Sequence, residues 1–170
     1  SHYYPRRMMA EVTLDALSQV SGAATEFHQA AERGRGNFAY PAGWRALQLP
    51  DSNIDSYFLK SFGRPDRIIP CECERTSEPS MSQALHMANG DTLNQMLRAR
   101  DGAIDMFLKL GLSDAKVVEH LYLSAFSRLP TAAEQAEILA ALAEAKKAAA
   151  ADPLEKEPRR KPLEDLMWAI

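Results

Sequence analysis

SDAKVVEHLYLSAF, residues 113–126, followed by LPTAAEQAEILAALAEAKKAAAA, residues 129–151, decides the class of fold. In the first run Val117, Val118, Leu121, Tyr122, Ala125 and Phe126 recur at three- and four-residue steps. That spacing lays them in a broad stripe on one helical face, wide enough to meet two neighbours. Ser113 stands where an N-cap accepts from the orphan amides of the first turn. In the second run Thr131 and Glu134 fit a capping box, and Ile138, Leu139 and Leu142 supply the apolar face. The alanines that follow need little tertiary help, because alanine has the best helix propensity. Two long capped helices joined at Leu129-Pro130 predict an all-α domain.

Working back toward the N-terminus, Met9, Val12, Ala16, Leu17 and Val20 predict a helix over Arg6–Val20, closed at Ser21-Gly22. Ala23–Pro50 loses the period and is punctuated by Gly34, Gly36, Pro41, Gly43 and Pro50, which predicts a long loop carrying Phe38, Tyr40 and Trp44. Asp51 or Ser52 is expected to cap a short helix through Ile54, Tyr57, Phe58 and Phe62, ended by Gly63. Ser77-Glu78-Pro79 opens another, with Met81 and Leu85 on its inner face and a stop at Asn89-Gly90. Two short helices follow, Thr92–Arg98 and Ala103–Leu110. The whole reads as an irregular bundle of about seven to eight helices with one long aromatic-containing loop. A helical domain is expected over 1–151, a charged linker broken by Pro153, Pro158 and Pro162 over 152–162, and a helix over 163–170 that stops in the middle of an apolar face, as a truncated one would.

A chain of 170 residues, 46% hydrophobic and 25% charged, has the make-up of one folded core and not of a disordered segment. Its formal net charge of −3 gives no general attraction for a phosphate backbone, so nucleic acid is not an expected partner. No run is long and apolar enough for a membrane span, and the first residues lack the order of a signal peptide. Two cysteines, Cys71 and Cys73, are too few for a disulfide framework.

Candidate chemistry gathers at residues 64–75. Cys71-Glu72-Cys73-Glu74 is the one cluster of potential metal ligands, yet it lacks a second ligand pair, and His28, His86 and His120 stand at no supporting spacing. Packing thiols are the expected reading, with a strained, readily reduced bridge or a metal site as alternatives; no metal and no cofactor are expected. Arg64, Asp66, Arg67, Glu74 and Arg75 surround the cysteines. Such a density could hold an anion through arginine, but an internal arginine–carboxylate lattice is the commoner use. His86 and His120, flanked by apolar neighbours, read as partly buried structural histidines. Tyr40 and Trp44 form a candidate aromatic platform for a sugar ring or a partner side chain, or else anchor the loop on the domain. No nucleophile elbow, phosphate loop, dinucleotide fingerprint, His-Glu-x-x-His pair or haem-attachment motif occurs.

These same residues resemble a known family. Pro5-Arg6-Arg7-Met8, Pro41-Ala42-Gly43-Trp44-Arg45-Ala46, Phe62-Gly63-Arg64-Pro65-Asp66-Arg67 and Cys71-Glu72-Cys73-Glu74-Arg75 are similar to the C-terminal domain of unknown function of large multidomain proteins from planctomycetes and related bacteria. Gln83-Ala84-Leu85-His86, Ser127-Arg128-Leu129-Pro130-Thr131 and Leu166-Met167-Trp168-Ala169 continue the likeness in order. The resemblance covers the later half of that domain. It implies an extracytoplasmic location, in the periplasm or cell envelope, and partners among the other domains of one parent protein, a cytochrome-c-type domain included. Two functions follow as expectations. The first is a non-enzymatic interaction or scaffold module; the alternative is a redox or metal-dependent enzyme module working with the cytochrome-type partner, in complex polymer breakdown.

Overall fold

The computed structural model describes residues 7–29, 38–50, 54–65, 78–152 and 157–170. It is all-α. Among the described residues eight α-helices run α1 Ala10–Ser21, α2 Tyr57–Ser61, α3 Met81–Asn89, α4 Asp91–Leu97, α5 Ala103–Lys109, α6 Asp114–Phe126, α7 Ala132–Ala150 and α8 Arg160–Ala169, with a 3-10 turn at Ala46–Gln48. Among the described residues the only β pairing is two isolated antiparallel bridges, His28 with Ala39 and Gln29 with Ile54. The chain divides into two compact units, residues 1–18 with 24–94 and residues 19–23 with 95–170.

In the first unit α1 buries Ala10, Glu11 and Leu14, so its inward face is turned from the one its apolar period suggests, and Met9 stays exposed. The turn follows from Asp15, whose carboxylate accepts from the amides of Ala46 and Leu47 at 2.6 and 3.2 Å. A carboxylate at a helix start satisfies orphan donors and meets the positive end of the turn's dipole. The described parts of the expected loop are pinned by buried Phe27, Ala46 and Leu49, with buried Ile54 beyond its end. Of the three aromatic residues expected to anchor it, Phe38 and Trp44 are 55% and 36% exposed and Tyr40 is half-buried. Ile54 is extended in the bridge to Gln29 and not helical, and α2 starts behind Ser56, whose hydroxyl accepts from the Leu59 amide at 3.3 Å.

Helix α3 departs most from its sequence pattern. Its N-cap is Ser80, closed by a capping box with Gln83, and it buries Gln83 while Met81 and Leu85 are 76% and 64% exposed. Gln83 is turned inward because its amide has work there: Nε2 donates to the Ser61 carbonyl at 2.9 Å, and Oε1 accepts from the Ser80 amide and from Arg7. A buried amide so satisfied costs little, whereas one left unpaired would cost a full desolvation penalty.

In the second unit the long helices form as their caps dictate. Ser113 caps α6, Thr131 and Glu134 close the box on α7, and Ser127 adopts the left-handed conformation (φ 55°) that terminates α6. Val117, Val118, Leu121, Tyr122 and Leu142 are buried, with Ile104 and Phe107 from α5. Helix α8 begins at Arg160, so Lys161 and Pro162 lie in its first turn, where a missing N–H breaks no helical bond. It packs on α5 and α7 and buries Leu163 and Met167. Arg159 and Arg160 do not serve as solvated linker charges: Arg159 donates to Asp114 at 2.8 Å and to the Leu112 carbonyl at 2.7 Å, and Arg160 pairs with Asp105 and Glu164. Gly22 closes α1 with φ +67°, and a Cβ there would stand 2.8 Å from the Ala103 backbone nitrogen, so both conformation and space require glycine.

Candidate functional site

Of the charged segment that the sequence singles out, Arg64 falls within the described residues; Asp66, Arg67, Cys71, Cys73, Glu74 and Arg75 lie outside them. Arg64 follows α2, where Gly63 bends the chain (φ 89°) and the Arg64 amide returns to the Leu59 carbonyl at 2.9 Å. Its guanidinium Nε stands 3.6 Å from Glu11 Oε1 on α1, and both side chains are 9% exposed. An arginine–carboxylate pair this far from water is held by Coulomb attraction in a low dielectric, and removing either partner takes away a charge that offsets the desolvation of the other. The partner is 53 positions away in sequence, which local spacing does not reveal.

Beside it lies a second polar knot. Arg7 donates to the carbonyls of Phe62 and Glu78 at 3.0 and 3.1 Å and to Gln83 Oε1, so one guanidinium ties the start of α1 to the end of α2 and the start of α3. His86, half-buried on α3, shares a hydrogen bond of 3.1 Å with Thr92 Oγ1. Its ring is walled by Tyr57, Phe58 and Phe62 at centroid distances of 5.3, 5.7 and 6.1 Å, and its other side abuts Gly90, where a Cβ would meet Nδ1 at 2.6 Å. His86 is thus packed as a wedge between aromatic rings and a glycine. His120 is exposed and not partly buried; it lies over Phe107 at 5.6 Å with the planes 28° apart, which covers a core ring from outside.

Tyr40 and Trp44 do come together. Phe38, Tyr40 and Trp44 form a row, Phe38 edge-on to Tyr40 at 5.4 Å and Tyr40 tilted against Trp44 at 5.6 Å. Tyr40 is half-buried and its two neighbours are exposed.

The second unit holds charge in two clasps on α8 and one at the head of α7. Burial pushes the Asp114 carboxyl up, but hydrogen bonds from Lys146 and Arg159, with their charges, outweigh it and leave the group below its ordinary value. The Lys109 hydrogen bond, with Arg160 beside it, likewise lowers Asp105. Glu134 accepts from Arg128 through both oxygens at 2.7 and 2.8 Å and from the Thr131 amide at 2.8 Å. The Arg128 bonds first, then those from Thr131, lower its carboxyl to about 2. Arg128 also lies over the Tyr122 ring at 5.2 Å and the Phe126 ring at 5.8 Å, a cation–π pairing that joins the end of α6 to the start of α7.

One pH prediction follows from Glu134. Its folded pKa is depressed, so its contribution is complete above the unfolded carboxylate value and is lost as pH falls toward about 2. A carbon-detected NMR titration of the Glu134 carboxyl should therefore place its midpoint well below those of solvated glutamates. In Arg128→Ala that midpoint should rise toward the ordinary range; an unchanged midpoint would show that Arg128 is not the cause.

No group of three or more His, Cys, Asp and Glu side chains that could hold a metal occurs among the described residues. None of their helices is long and apolar enough to cross a membrane. An all-α domain with polar knots and an exposed aromatic row is what fold and site define. The chain belongs to the PSD1 family, described as "Protein of unknown function (DUF1553)", whose model matches residues 1–142. No curated protein and no solved structure matches it.

Proposed function

We propose that this chain is a helical interaction and scaffold module that docks neighbouring domains of a larger exported protein. The observation that supports this reading is how its side chains are spent. Arg64 with Glu11, Asp15 with Arg45 and the 3-10 turn, Asp105 with Lys109 and Arg160, Asp114 with Lys146 and Arg159, and Glu134 with Arg128 are each engaged within the chain. Large apolar groups are left outward instead. On α6 and the turn after it, Leu123, Phe126 and Leu129 are 48%, 47% and 58% exposed, beside a core face that is closed. Exposed apolar groups beside charges that are paired within the chain suit contact with another protein. A cytochrome-c-type partner and an envelope location are part of the proposal and rest on the sequence resemblance. The alternative of a redox or metal-dependent enzyme rests on Cys71, Cys73, Glu74 and Arg75, outside the described residues.

The test adds the purified chain in trans to the remainder of its parent polypeptide and measures binding by calorimetry. Leu123→Glu with Leu129→Glu should weaken that binding by at least about tenfold, as removal of interface anchors does, with the helical spectrum unchanged. Equal binding by the variant would remove this face from the proposal.

A further inference from the structure

Helix α8 begins without the features that start a helix from its own residues. Its N-cap, Arg159, makes no side-chain hydrogen bond to the first-turn amides, and the first turn holds no acidic residue. Arg159, Arg160 and Lys161 stand there instead, at the positive end of the helix dipole, where cations are unfavourable. The pair within the helix, Arg160 with Glu164, runs in the weaker order, cation before carboxylate. Helix α7 is the contrast, with Thr131 and Glu134 closing a capping box at its start.

What α8 lacks comes from the helices before it. Arg159 donates to Asp114, the first residue of α6, and to the Leu112 carbonyl, and Lys146 of α7 shares the Asp114 carboxylate. Arg160 pairs with Asp105 of α5, which Lys109 also holds. These two carboxylates offset the charge at the start of α8 only while it lies against them, and in that same position Pro162, Leu163 and Met167 are buried. We infer that α8 is a strap that is helical only while docked. It leaves α5 and α7 as one unit and loses its helix as it does so, with α6 and α7 still folded. Those two helices have supports of their own: the caps at Ser113 and Thr131, the Arg128–Glu134 pair between them and the buried Val117, Val118 and Leu121. Release of the strap uncovers the face of α5 and α7 on which it packs, without unfolding the rest of the unit.

Native-state hydrogen exchange of the whole chain in rising denaturant tests this. The amides of Leu163 to Ala169 should share one protection factor, at least about tenfold below that of the α6 amides, with a shallower dependence on denaturant because the opening exposes less surface. A helix that persisted off the body would keep its amides protected, so exchange at the docking equilibrium reports loss of the helix itself. Asp105→Asn with Asp114→Asn should speed α8 exchange by about tenfold or more. Thr131→Ala, which removes the α7 cap, should speed exchange in α6 and α7 severalfold and leave α8 unchanged, because that cap is the same in the docked and released states. Three results would overturn the strap: α8 amides that follow α6 on one denaturant isotherm, α8 amides that speed up with α6 in Thr131→Ala, or wild-type α8 rates in the double aspartate variant. The wild-type isotherm decides the matter even where the double variant does not fold. None of these outcomes bears on Leu123 and Leu129, so the strap and the docking face stand or fall separately.

Discussion

Arg64→Ala is expected to lower stability by about 3–5 kcal/mol, because it leaves Glu11 as a buried carboxylate without the guanidinium that offsets its desolvation. Both side chains are 9% exposed, so solvent screens the pair little. The double variant Glu11→Leu with Arg64→Met should recover most of the loss, since an apolar pair of similar volume incurs no desolvation cost. Denaturant unfolding read by circular dichroism separates the cases: the single variant moves the midpoint at constant slope, and the double variant moves it back. An unmoved midpoint in Arg64→Ala would show that the pair does not hold α1 to the end of α2.

Leu163→Ala should cost about 3 kcal/mol or more, through lost transfer energy and the cavity left behind. Leu163 is fully buried, and the start of its helix is fixed by two ion pairs that limit collapse into the cavity, Arg159 with Asp114 and Arg160 with Asp105. Hydrogen exchange at the α8 amides should accelerate with the loss. Wild-type protection at α8 in this variant would mean that the clasps alone dock the helix.

Where a helix is made by its own residues, the sequence shows it. Ser113, Thr131 with Glu134, and Gly90 at the end of α3 mark their helix ends within a residue, because capping acts over three or four positions. Faces are less legible, since they depend on distant partners. Met81 and Leu85 have the spacing of an inner face, but the Ser61 carbonyl and Arg7 wait for Gln83, and satisfying that amide rotates α3. Asp15 does the same to α1 by capping a turn 31 residues on. The expected lattice of neighbouring charges around Arg64 names carboxylates close in sequence, whereas the partner on the described residues is Glu11 of α1. The row at Tyr40 and Trp44 is visible as composition; that Phe38 joins it depends on pairing with Phe27–Gln29, which no local pattern announces. Phe126 sits within the broad stripe of α6 and Leu123 outside it, and the packing of α7 on α6 shows which part stays uncovered.

The reading of the chain as a docking module is tested most directly by hydroxyl-radical footprinting of Leu123, Phe126 and Leu129, in the chain alone and within its full parent polypeptide. These side chains should react readily in the isolated chain and be protected several-fold in the parent, while Met81 serves as an exposed reference on the other unit. Equal reactivity of all three in both forms would contradict it.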